Sequence, residues 1–156
     1  MSSLKGCSLP SNSGTEALET GEWIKAQLDT ALIGTVFQTQ TIDIKAYAEV
    51  IPEDVDLPAI RFHVQFPKDV MVIAGVRVMT QIDWLVALVH EGLILSPLIP
   101  IVAKIDQALH LQKGSTAGVS VFECTRLGPF TQVSTEPTGT QYRHLGGTYR
   151  TLSQAI

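Results

Sequence analysis

The chain has only two cysteines among its 156 residues, Cys7 and Cys124, and no C-x-x-C pair. So few thiols exclude a disulfide scaffold, and in a reducing compartment both are expected unpaired. Aromatic residues make up 6% and charged residues 17%. No run of Lys and Arg suggests a nucleic-acid groove or a contact with an anionic membrane. Long apolar runs are missing too: LVALV at 85–89 and LILSPLIPIVA at 93–103 fall far short of the ~20 residues of a membrane span, and two prolines break the second. The opening MSSLKGCSLPSNSGTEALET lacks the apolar centre of a signal peptide, so an unexported protein is expected.

Catalytic constellations are scarce as well. The four histidines, His63, His90, His110 and His144, show no i, i+3 or i, i+4 pairing and give no sign of a metal site. His90-Glu91 begins like the zinc-protease motif, but Ile94 stands where the second histidine is needed. Cys124, inside VSVFECTRL, reads as a small core hydrophobe rather than a nucleophile. Neither Gly128-Pro129 nor Gly146-Gly147 follows a strand and opens a helix, as a phosphate loop must. No catalytic residue, cofactor or metal is expected.

What is present is a chain 45% hydrophobic, long enough for one core that needs no metal or disulfide to hold it. Its charge is lopsided: the net charge of −4 divides into −6 over residues 1–56 and +2 over 57–156. Asp43, Glu49, Glu53, Asp54 and Asp56 oppose only Lys45 in the stretch 43–56. Such a stretch is either a solvated loop or one sign of a complementary surface. With Arg77 and Asp83 on a long strand, these acids form the candidate interface. An acidic surface meeting the basic surface of the next copy would close a heterologous ring.

Residues 1–14 are Ser-, Gly-, Asn- and Pro-rich and read as a loose arm, with a single domain over 15–156. A helix is expected over 21–32, capped by Thr20, with Trp23, Ile24, Leu28 and Leu32 on its apolar face. TVFQTQTIDIKAYAEV reads as one strand or two, and AIRFHVQF alternates cleanly with Arg61 and His63 away from the core. Pro67, Lys68 and Asp69 suggest a turn before the apolar MVIAG. VRVMTQIDWLVALVH then forms an overlong strand that projects or bends. SPLIPIVAKIDQALHLQKG suggests a second helix starting at Ser96-Pro97 or at Pro100, with Lys113 in its last turn and Gly114 as its stop. Strands at 118–127, 130–136 and 140–152 follow, punctuated by Gly128-Pro129 and Pro137-Thr138-Gly139, with Gly146-Gly147 marking a bulge or turn. Trp23 and Trp84 read as core anchors. The fold class is α+β, an antiparallel β-sheet with two helices packed on one face.

The opening helix EWIKAQLDTAL, the acidic, proline-bounded IPEDVDLPAIRFHVQF, the strand VRVMTQIDWLV, the helix SPLIPIVAKIDQALHL and the closing VFECTRLGPF and YRHLGGTYRTL together resemble the tail terminator (tail completion, or neck) proteins of long-tailed bacteriophages. The resemblance covers roughly 20–153. It implies a virion protein, made in the host cytoplasm, that forms a homo-hexameric ring on the head-proximal end of the tail tube. Its partners would be the tail tube protein and the head-completion or connector proteins, with DNA passing through the lumen without specific binding and no membrane involved. The polar arm at 1–14 and the residues Gly92 to Leu95 depart from the family pattern and leave open a head-tail connector or stopper. A different class of reading is a small cytoplasmic ligand-binding domain or enzyme whose pocket gathers His63, Asp83 and Cys124.

Overall fold

The computed structural model describes residues 16–71, 77–92 and 94–155. The polar arm expected at 1–14, Cys7 and most of MVIAG lie outside them. The chain runs α1 (Glu16–Ala31), β1 (Thr35–Phe37), β2 (Gln40–Ile42), β3 (Ala46–Ala48), β4 (Ala59–Met71), β5 (Arg77–Glu91), α2 (Ile99–Leu109), β6 (Gly114–Ser115), β7 (Val119–Thr135) and β8 (Gln141–Ala155). One curled six-stranded sheet has the order β3-β4-β5-β8-β7-β6, and β1-β2 form a separate hairpin. Every neighbouring pair is antiparallel except β3 and β4. This is the expected α+β class.

Alternation decides which face of the sheet is covered. Ile82, Trp84, Val86 and Leu88 of β5 point to one side, and all are buried there with Trp23, Ile24 and Leu28 of α1 and Ile101, Ile105 and Leu109 of α2. The two helices also contact each other, so they form one layer over one face. Trp23 and Trp84 are 3% and 2% exposed, and both anchor the core. Cys124 belongs to the same cluster. Two polar groups on this side have partners in the chain: Trp84 Nε1–H donates to Thr151 Oγ1 at 2.9 Å, and the Tyr149 hydroxyl donates to Asp106 Oδ1 at 3.1 Å.

Several boundaries differ from the expectation. Thr20 does not cap α1, which already includes Glu16; Thr20 is buried within the helix and donates to Ser153 Oγ at 3.2 Å. Glu, Ala and Leu at 16–19 are good helix formers, so propensity carries the helix past the residue that resembled its start. The segment 35–50 holds three short strands, because Gln38 and Thr39 turn the chain with both φ angles positive, 48° and 70°. That is a two-residue hairpin geometry usually marked by Asn-Gly, and here it carries no such mark.

Proline misleads twice. The turn expected at Pro67 is a continuation of β4, and Gly128-Pro129 does not split β7, which runs unbroken for 17 residues. The short strands β3 and β6 pair with β4 only at Ile60–Phe62 and with β7 only at Ser120–Val121. Among the described residues, both prolines therefore lie on free edges, where a missing N–H costs no ladder bond. Gly146-Gly147 is neither bulge nor turn: a Cβ on Gly146 would collide with the Val86 carbonyl oxygen, so glycine there permits the close approach of β8 to β5.

Helix α2 follows the shorter of its two expected starts, with Pro100 in its first turn. It ends at Leu109, ahead of Lys113 and Gly114, and Gly114 enters β6. The Leu111 N–H donates to the Cys124 carbonyl at 2.7 Å, and His110 Nδ1 accepts the Arg126 N–H at 3.0 Å. These bonds to β7 draw the chain out of the helix before its basic and glycine signals are reached. Among the described residues, no helix is long and apolar enough to cross a membrane.

Candidate functional site

Parallel neighbours such as β3 and β4 need a crossover connection, and residues 49–58 supply it without a helix. The connection leaves β3 in a tight turn, with Glu49 at φ 66° donating its N–H to the Phe62 carbonyl at 2.9 Å and Val50 bonding back to Ala48 at 2.8 Å. Glu49, Glu53, Asp54 and Asp56 are exposed along it, while Ile51, Val55 and Leu57 are half-buried. None of the four acids makes an ion pair among the described residues. This loop passes over the helix-free face of the sheet and walls a cavity of about 520 Å³.

The floor of the cavity is set by register. Arg61 on β4 lies opposite Ala87 on β5, and Ala87 lies opposite Gly146 on β8. Only a methyl group and a hydrogen occupy these positions, so the arginine stem has room to reach across β5. Arg61 Nε–H donates to His144 Nδ1 at 3.3 Å, and its Nη1 lies 3.2 Å from His63 Nδ1. A guanidinium only donates, so both imidazoles must accept on Nδ1. His144 then carries its proton on Nε2 and donates to Ser134 Oγ at 2.8 Å. Burial lowers the Arg61 pKa. Burial, and then the Arg61 charge, lower that of His144.

Apart from Asp54, exposed on the loop and lining neither cavity, and Arg77, the expected interface residues fall into three places. Glu49 and Glu53 line the cavity beside Arg61 and His144. Asp43 and Asp56 line a second cavity of about 500 Å³ with Phe37 and His90, and Asp43 Oδ1 accepts the Gly34 N–H at 2.8 Å. Asp83 lies elsewhere on the helix-free face and receives two hydrogen bonds from Arg150, 2.8 Å from Nε and 3.0 Å from Nη2. Its charge is thus answered within the chain. Arg77 opens β5, and its side chain lies outside the described part.

The pocket of His63, Asp83 and Cys124 does not form. Cys124 is on the helix-covered face opposite Thr151, fully buried, and its thiol is pushed up to about 12 by burial, with Asp106 and Glu123 adding to the effect. His63 and Asp83 are on the other face. Sequence reasoning missed Arg61 as the partner of His63 and His144 as the second partner of Arg61. Alternation puts Arg61 and His63 on one side of one strand, but His144 joins them only through the order β4-β5-β8. Among the described residues, no group of three His, Cys, Asp or Glu side chains is placed to hold a metal ion. No family model and no curated protein matches the chain.

Proposed function

We propose that the chain is a structural subunit of a phage tail or neck, a tail terminator that closes into a homo-hexameric ring on the head-proximal end of the tail tube. The observation that carries this reading is the loop 49–57, whose four exposed acids have no ion pair within the described chain. A surface of one sign, on a chain whose remainder carries a small excess of the other, suits a heterologous contact in which each copy meets the next. The element order, from opening helix through acidic loop and long strands to the closing strands, supports the resemblance to tail terminators. In this reading the protein belongs to the virion, touches the tail tube protein and the head-completion proteins, and leaves DNA free to pass. A connector or stopper position in the same neck uses the same contact.

The test is the mass of the purified protein by light scattering across salt and concentration, together with its binding to the ends of tail tubes. The expected result is a ring-sized species, in solution or on the tube, lost when Glu53, Asp54 and Asp56 are all changed to Lys. A strict monomer that also fails to bind tubes would overturn the reading. Wild-type assembly by the triple variant would remove the acidic loop from the contact.

A further inference from the structure

The cavity under the 49–57 loop contains more hydrogen-bonding capacity than the chain itself uses. Of the five N–H donors of the Arg61 guanidinium, two are directed at His63 and His144. The other three have no protein partner among the described residues. A half-buried guanidinium held only by imidazoles keeps donors open to the cavity, and a carboxylate is the group whose geometry answers them best. The imidazoles hold the fork in place, and Ser134 holds His144 in turn.

The rest of the lining restricts the guest further. Glu49, Glu53 and Glu136 share the cavity with Arg61, yet none comes within ion-pairing distance of it. Three carboxylates and one guanidinium in its lining give the site an excess of negative charge. A simple anion would be attracted by Arg61 and repelled by the walls, and a simple cation would leave Arg61 unanswered. A guest with both charges answers both, and the half-buried Ile51, Val55 and Leu57 suit an apolar stem between them. The volume of about 520 Å³ lies within the roughly 300–1,000 Å³ of small-ligand sites.

We propose that this cavity binds a zwitterionic guest, its carboxylate on Arg61 and its cationic group among Glu49, Glu53 and Glu136. The guest is either a free amino-carboxylate or an acidic and a basic side chain presented together by a neighbouring copy of the chain. The site does not depend on the ring reading, since a monomer contains all of its walls.

The experiment titrates the full chain with 6-aminohexanoate, hexanoate and hexylamine, following the imidazole NMR signals of His63 and His144, and measures mass by light scattering in the same samples. The expected result is saturable binding of 6-aminohexanoate at least ~10-fold tighter than either singly charged probe, a difference of one decade in Kd. Arg61→Gln should abolish the preference, and Arg61→Lys, which keeps the charge but loses the fork, should weaken it. Binding with unchanged mass identifies a free ligand as the natural guest. Binding that lowers the mass identifies side chains of a neighbouring copy, displaced by the probe. Equal response to all three probes, or an unaltered preference in folded Arg61→Gln or Arg61→Lys, would overturn the proposal, whatever the mass shows about a ring.

Discussion

The two faces of the six-stranded sheet are built from the same strands but solve different problems. Under the helices, β5 presents Ile82, Trp84, Val86 and Leu88; Trp84 finds a partner in Thr151 and Tyr149 in Asp106, while Arg126 Nε is sealed there without one. On the helix-free face, the same strand presents Leu85, Ala87 and Val89, which are buried as well, and its neighbours bring the half-buried Arg61, His63 and His144. There the small residues Ala87 and Gly146 leave room, and Arg61 keeps unused donors. The difference is one of access: an unpaired nitrogen sealed under the helices can meet nothing, while spare donors that line a cavity are left for something else to meet.

The contrast breaks most severely at Trp84. Its indole is almost fully buried, lies against Phe62 with ring centroids 6.0 Å apart and donates to Thr151. Trp84→Ala removes that packing and should destabilise the protein by about 3–5 kcal/mol, read from the urea unfolding midpoint. A loss below about 1 kcal/mol would show that the helix layer does not close on this residue as described.

A smaller effect is expected at Gly146, where the two faces are linked through the backbone. A methyl group there runs into the Val86 carbonyl and the Ala87 Cα, and neither is the end of a flexible side chain. Gly146→Ala should force β8 from β5 and cost about 1–3 kcal/mol, as overpacking does. Because Ala87 and Gly146 also form the gap that Arg61 crosses, the variant should shift the His144 imidazole signals. A stability loss without that shift would separate the close approach from the cavity.

Legibility in the sequence followed the same division. The helix-covered face was readable in β4, where Ile60 and Phe62 are buried between the more exposed Arg61 and His63, whereas β5 is buried on both faces over 84–89 and only its long apolar run marked it as a strand. Trp23, Trp84 and Cys124 were also placed in the core. Pro67 and Pro129 misled because local punctuation does not report whether a strand is at an edge, and edge position depends on the lengths of β3 and β6. Thr20 misled because its hydroxyl bonds to Ser153, 133 residues away. Of the site, the acids of the loop were legible as a charge run. The cluster was not: Arg61 and His144 are 83 residues apart and meet only across a third strand. Neither residue carries a local signal of the other.

The mildest way to sharpen the comparison is pH. On the open face, Arg61 needs both imidazoles neutral, because a protonated Nδ1 no longer accepts its hydrogen bond. Burial first, and the Arg61 charge second, hold the His144 pKa below its ordinary 6.5. At the end of β5, burial lowers that of His90, partly offset by Glu91. A histidine depressed in the folded state takes up its proton more readily in the unfolded chain, so acid favours unfolding. The stability it supports is full above the unfolded value near 6.5 and is lost as pH falls through the folded value. Urea midpoints should therefore fall as pH drops from about 7 toward 5, and His144→Asn should flatten the part due to the cluster. Because His144 reaches Arg61 and Ser134 while Cys124 is sealed under the helices, the thiol should stay unreactive throughout that range in a Cys7→Ser background. If Cys124 becomes reactive at the same pH at which the His144 signal titrates, the two faces do not open separately, and the division between a closed face and an available one fails.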